Sequence, residues 1–261
     1  MSKSARVLIQ SAGKEGVLSK TTVNLLNVAD IGNQIQAALG VSVDNVKASE
    51  VILMTVMPDD SGSIRFVSGN AEAVREGHNM VIDAMSESKQ KDSILMHTRY
   101  LNGHILFPYS PLNQVVRMDQ NNYNPNLGTP LYDQTMVLLG TVVAKTQEFS
   151  DQGVPARSIT LLITDGNDEH SKRFRPVHVA NLVQDMLMTE SHIIAAIGIY
   201  DGMTDFKEVF KEMGIRDEWI LTPKNTPSEI RRAFQLFSQS AIRASQSAKS
   251  FSRTALAGFG E

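Results

Sequence analysis

Residues 51–64 read VILMTVMPDDSGSI, an apolar run that gives way to a short polar, acidic segment. The run from Val51 to Met57 shows no polar alternation, the mark of a strand buried on both faces, as in parallel sheets covered by helices. Pro58 ends the run abruptly, and two aspartates, two serines and a glycine follow. In open α/β sheets the segment just past the carboxyl end of a strand is where ligand sites are carried.

The 261 residues, 42% hydrophobic and 20% charged, suit one main globular domain with a sizeable core and some additional structure. A formal charge of −3 gives no electrostatic reason to expect nucleic acid or an anionic membrane as partner. There is no cysteine, which excludes disulfides, thiolate metal sites and cysteine nucleophiles. No apolar run approaches the ~20 residues needed to span a bilayer, and the first residues lack the apolar segment of a secretion signal. A cytoplasmic location is expected.

On either side of the opening stretch the signals differ. Before it, residues 7–9 suggest a short strand, and an amphipathic helix interrupted near Gly32 starts from Thr21. The segment 13–22 has glycines and Ser-Lys-Thr but fails the phosphate-loop spacing, since Lys14 and Ser19 stand where glycines are required. After it, strand and helix alternate. A helix is predicted over 70–89, then strands 93–100 and 104–109 about an Asn102-Gly103 hairpin turn. A polar loop over 110–128 leads to a helix capped by Thr129 with Pro130 in its first position. Strands over 158–164 and 192–200 alternate with helices over 176–189 and 205–213, and an edge strand over 218–221 precedes a last helix over 226–244. These units predict a doubly wound, mostly parallel sheet with one antiparallel edge strand and helices on both faces. The expected division is an N-terminal extension packed on the main domain (1–48), the domain itself (49–242) and a serine-rich, disordered tail (243–261).

Three loops follow or face the carboxyl ends of the buried strands: 59–63, 128–133 and 164–166. In an extended segment alternate side chains point the same way, so Asp59, Ser61 and Ser63 converge while Asp60 faces elsewhere. Thr129 and Asp165 add a hydroxyl and a second carboxylate from neighbouring loops. An all-oxygen set without imidazole or sulfur suits a hard cation such as Mg²⁺ or Mn²⁺.

At these residues the chain resembles the von Willebrand factor A (vWA) family, whose metal-ion-dependent adhesion site reads D-x-S-x-S, then Thr, then Asp in chain order. The resemblance covers roughly residues 49–242 and implies a Rossmann-like vWA fold. It also implies a metal held directly or through water by Asp59, Ser61, Ser63, Thr129 and Asp165. Mg²⁺ is the implied ion, with Mn²⁺ or Ca²⁺ as substitutes, and an Asp or Glu of a protein partner completes the coordination. The run DFKEVFKEMGI (205–215) with the Ser/Gln-rich end is similar to stand-alone bacterial vWA proteins of the tellurium-resistance type.

Taken singly, each of these loops is an ordinary turn or helix cap, and their joint order is what points to a metal. Asp168, Glu169 and His170 are better explained as a charged loop than as a second ion site, and His78, His97, His104, His178 and His192 show no metal-ligand spacing. A serine hydrolase would need a G-x-S-x-G elbow, which is absent around Ser61. Trp219 reads as a packing residue and the methionines as core filling. The leading expectation is a non-enzymatic, cation-dependent protein-interaction module. The alternatives are a metal-dependent phosphohydrolase or phosphotransferase using the same cluster, in which Ser61 stands where an aspartyl scheme needs an acid, and a vWA scaffold with a stabilising metal.

Overall fold

The computed structural model describes residues 3–260. All residues of β1 (Val51–Met57), β2 (Ile94–Arg99) and β5 (His192–Gly198) are buried, and β4 (Ala156–Thr164) is buried but for Arg157. Strands of this kind need cover on both faces. With β3 (Ile105–Pro111) and β6 (Ile220–Leu221) they form one six-stranded sheet in the order β3-β2-β1-β4-β5-β6. Every pairing is parallel except β2 with β3, the hairpin edge turned at Asn102-Gly103. The chain winds from β1 toward one edge and from β4 toward the other. The crevice above the carboxyl ends of β1 and β4 is therefore the topological switch point, where doubly wound sheets bind ligands.

Helices α4 (Asn70–Ser86) and α8 (Pro227–Ser245) pack together over one part of the sheet. The long helix α5 (Leu131–Ser150) is buried all round from Thr135 to Lys145, because it has the sheet on one side and the N-terminal helices on the other. Those helices are α1 (Ala5–Lys14), α2 (Lys20–Leu26) and α3 (Ala29–Ala38). Gly140 lets them approach: a Cβ there would stand 2.8 Å from Ile35 and 3.0 Å from Leu26. Leu8, Ile9 and Ile35 share one core with Ile52 and Val143, so the N-terminal helices and the sheet bury a common apolar surface. α6 (Pro176–Met188) and α7 (Phe206–Glu212) complete the cover around β5. No helix among the described residues is long and apolar enough to cross a membrane.

Four local expectations change. Residues 7–9 belong to α1 rather than to a strand, since Ala5, Leu8, Ile9 and Ala12 recur with helical period and are all buried. The break between the next two helices falls at Asn27 and Val28, and Gly32 sits inside α3 with nothing near it. Thr129 does not cap α5: Pro130 occupies the cap position without a side-chain bond, and helix begins at Leu131. Residues 248–257 are not a disordered tail but α9 (Ala248–Ala257), capped by the Ser247 hydroxyl and anchored by a fully buried Phe251. Serine-rich composition concealed an amphipathic helix, and Ser238, Ser240 and Ser245 of α8 are themselves buried. Met1, Ser2 and Glu261 of the two terminal segments lie outside the described residues.

Candidate metal centre

The first arm of the site is the segment leaving β1. Asp59 is fully buried, and each of its carboxylate oxygens is held. The Ser61 N–H donates to Oδ1 at 2.7 Å and the Thr164 hydroxyl to Oδ2 at 2.6 Å. The Tyr123 hydroxyl donates to the Asp59 carbonyl oxygen, fixing the backbone at that residue. The loop then adds a short parallel bridge between Ser61 and Leu127, in which Gly62 N–H donates to the Leu127 carbonyl at 3.0 Å.

The second arm is the end of β4. Asp165 is buried, and its Oδ1 accepts from Ser63 Oγ at 2.6 Å and, more weakly, from Ser61 Oγ at 3.4 Å. The two serine hydroxyls are 2.9 Å apart. Asp59, Ser61, Ser63 and Asp165 thus form one hydrogen-bonded cluster across the switch point. Thr129 is buried beside them, yet its hydroxyl bonds to none of the four. It faces Gly166, where a Cβ would stand 3.5 Å from its Oγ1. The Thr129 backbone is tied instead to the next loop: its N–H donates to His170 Nδ1 at 3.0 Å and its carbonyl accepts from Glu169 and His170.

Asp60 turns away from this cluster, as strand alternation requires. Its Oδ1 accepts from the Asn102 backbone at 3.0 Å and side chain at 2.9 Å, which ties the hairpin turn to the site. Asp168 accepts from the Tyr132 N–H at 3.3 Å and from the Ser171 hydroxyl, which ties its loop to the start of α5. Asp133, in the first turn of α5, accepts from the backbone of Lys172, Arg173 and Phe174 at 2.9, 3.1 and 2.7 Å. These bonds hold the chain after Asp165 against α5.

Electrostatically the cluster is under strain. Burial, and then repulsion from Asp165, push the Asp59 carboxyl up to about 7. Asp165 is raised too, by burial first, with hydrogen bonds from Ser63 and Ser61 opposing and the nearby Asp201 adding to the rise. Among the described residues neither carboxylate is paired with a Lys, Arg or His. Nor does any group of three or more His, Cys, Asp and Glu side chains there form a metal cluster, so an ion here would rely on two carboxylates plus hydroxyls. That donor set fits a hard divalent cation, which would offset two buried negative charges.

Sequence reasoning missed Thr164, Tyr123, Asn102 and Asp201. Thr164 directly precedes Asp165 and ends a buried strand, a usable signal for a polar side chain at the site. Asn102 was legible only as a turn residue, and Tyr123 and Asp201 come from loops whose path no local pattern predicts.

No family model and no curated protein matches the sequence significantly. Solved structures do match. Proximal thread matrix protein 1 from the mussel byssus superposes with a TM-score of 0.51 at 16% identity, over 74% of this chain and 48% of that one. The pilus adhesin SpaC from Lactobacillus rhamnosus GG, in its open conformation, gives 0.54 at 12% identity, over 77% of this chain and 31% of that one. A von Willebrand factor type A protein from Catenulispora acidiphila gives 0.49 at 17% identity, over 76% and 44%. The chain spans about half or less of the length of these three proteins. At such identities the likeness concerns the fold alone, the six-stranded, mostly parallel, Rossmann-like sheet with its one antiparallel edge strand.

Proposed function

We propose that the chain is a divalent-cation-dependent protein-interaction module, with Mg²⁺, or Mn²⁺ or Ca²⁺ in its place, held by Asp59, Ser61, Ser63, Thr129 and Asp165. One observation carries this reading: two buried carboxylates share a cluster with two hydroxyls and, among the described residues, have no basic partner. When bound, a divalent ion supplies residual positive charge at the loop surface, which favours a carboxylate from a partner. The protein residues do the rest. Asp59 is oriented by Ser61 and Thr164, Ser63 and Ser61 lie between the carboxylates, and Asp133 and His170 hold the loops that carry Asp165 and Thr129.

The surface around the cluster supports a protein rather than a small molecule as partner. Phe66 and Met203, 86% and 92% exposed, project from the loops after Ser63 and after β5, and Leu127 and Tyr200 are exposed on the same edge of the sheet. Exposed apolar side chains gathered around a polar site are typical of a protein-binding face. They favour a partner segment in which an Asp or Glu is flanked by apolar residues. No catalytic step enters the reading. The kinship with tellurium-resistance proteins suggested by residues 205–215 belongs to the same proposal.

The test is display selection of nonapeptides with a fixed central Asp, Glu or Asn, in Mg²⁺ and in chelator. Enrichment of the acidic pools in Mg²⁺ alone, lost in Asp165→Ala, is expected. Equal enrichment of the Asn pool, or enrichment that survives chelation, would contradict it. Turnover of a phosphoester in Mg²⁺ that Asp165→Ala abolishes would replace the module with an enzyme.

A further inference from the structure

At the amino-terminal edge of the sheet, away from the Asp59 cluster, helix α9 roofs a cavity of about 210 Å³. Val183 and Leu187 of α6, Ile193 of β5, Trp219 and, from the roof, Ala255 supply apolar walls. The roof is fastened at both ends. Phe251 is buried in the core at its start. Beyond its end Gly258, at φ 67°, lies so close to the Glu218 carbonyl that no side chain fits there, and Phe259 stands edge-on to Trp219 at 5.0 Å. A helix held in this way cannot settle into the space beneath it, so the hollow persists.

The polar side chains are few: Trp219, His192, Ser252, whose hydroxyl donates to the Ala248 carbonyl at 3.3 Å, and Arg216 and Glu190; His192, Glu190 and Ser252 also border the neighbouring hollow beside Phe251. Trp219 Nε1 donates to the Ala255 carbonyl at 3.2 Å, which satisfies the one polar atom of the indole and fixes the ring as an apolar wall. On the floor, His192 is buried with Nδ1 2.7 Å from Ser158 Oγ, and Nε2 has no protein partner among the described residues. Burial lowers this imidazole to about 4, so it offers a neutral nitrogen. The mouth has a greasy lip, Met188 and Leu256 at 77% and 75% exposure, and one charge of each sign, Arg216 and Glu190. Glu190, just past the C-cap Thr189 of α6, sits at φ 55°, a left-handed position that glycine usually fills. With opposite charges at the entrance and a neutral imidazole within, the chamber favours no ionic ligand. Its volume exceeds the ~150 Å³ of an apolar cavity known to hold benzene.

We infer that this cavity is a second binding site, specific for a small uncharged aromatic molecule with one hydrogen-bonding group directed at His192. The apolar walls bury the ring, and the imidazole sets its orientation. Nothing in this inference depends on the metal centre.

Trp219 is the only tryptophan, so its emission reports on the cavity directly. The probes are p-cresol and benzyl alcohol, with benzoate and benzylamine as charged counterparts of nearly the same shape, each titrated in chelator. A saturable change in Trp219 emission is expected with the neutral probes, at least tenfold weaker with the charged ones, and lost in Ala255→Phe, which fills the chamber from the roof. Leu187→Phe fills it from the wall and serves if the first variant does not fold by circular dichroism. The inference is overturned if neither neutral probe gives saturation up to its solubility. It is equally overturned if binding persists in the filled variants, or if a charged probe binds as well as the neutral ones.

Discussion

Replacing Asp59 by Asn is expected to stabilise the metal-free protein while abolishing its response to Mg²⁺. The Asp59 carboxyl is raised from 3.8 to about 7 by burial and by the repulsion of Asp165. A rise of roughly three units corresponds to roughly 4 kcal/mol, at about 1.4 kcal/mol per unit. The sign follows from proton binding. The folded state holds this proton more tightly than the unfolded chain, so the contribution is fully present below the unfolded value. It is lost progressively as pH rises toward 7 and is constant above that. Asn carries no charge to bury and keeps the oxygen that accepts from Ser61. Its amide would face the Thr164 hydroxyl, which can accept from it and turn its own proton to the Gly166 carbonyl at 3.0 Å. The hydrogen bonding is thus largely conserved, and a net gain of roughly 2–4 kcal/mol at pH 8 is expected, a rise in Tm of roughly 4–8 °C for a chain of this size. Thermal unfolding in chelator between pH 4.5 and 8 measures it, and the gap between variant and wild type shrinks toward the acid end. Adding Mg²⁺ at about a hundred times its Kd raises the wild type by roughly 2.7 kcal/mol and leaves the variant unmoved. An Asp59→Asn variant that is less stable than wild type in chelator at pH 8 would refute the reasoning.

Asp133→Ala removes the acceptor of three backbone N–H groups. Hydrogen exchange at residues 172–174 is expected to speed up at least tenfold, with a loss of roughly 2–3 kcal/mol in urea unfolding. Phe251→Ala takes the anchor of α9 out of the core and is expected to cost roughly 3–5 kcal/mol, read from the denaturation midpoint. Phe66→Ser and Met203→Ser act on exposed side chains, so stability changes by less than about 0.5 kcal/mol. Affinity for an acidic peptide selected in Mg²⁺ is nevertheless expected to fall at least fivefold in each, by titration calorimetry.

Much of the fold is legible because burial on both faces leaves a distinctive pattern. The apolar-rich runs Val51–Met57 of β1, Leu161–Ile163 within β4 and Ile193–Ile197 within β5 mark central strands, and Asn102-Gly103 marks the hairpin edge. The segments that misled are those whose partners are distant in sequence. Residues 7–9 resemble a strand until Ala5 and Ala12 are seen to share their buried face, and the small residues of the C-terminal segment hide Phe251 and Phe259, which fasten the two ends of α9. At the site, alternation correctly separates Asp59, Ser61 and Ser63 from Asp60, because side-chain direction in an extended segment is a local property. The supports come from elsewhere in the chain. Tyr123 beneath Asp59, Asn102 on Asp60 and His170 on Thr129 depend on loop paths that only tertiary structure sets. Thr129 shows both sides: its place beside the cluster follows from chain order, but the capping role its neighbour Pro130 suggests is not the one it has.

The central claim is that two buried carboxylates and the hydroxyls around them hold one divalent ion. Its most direct test is a crystal of the protein grown or soaked with Mn²⁺ and measured at a wavelength where manganese scatters anomalously. A single anomalous peak within about 2.0–2.3 Å of oxygens from Ser61 and Ser63, with Asp59, Thr129 and Asp165 bound directly or through water, is the predicted result. Crystals that diffract well and show no peak there, or show one only at a site remote from Asp59 and Asp165, would contradict it.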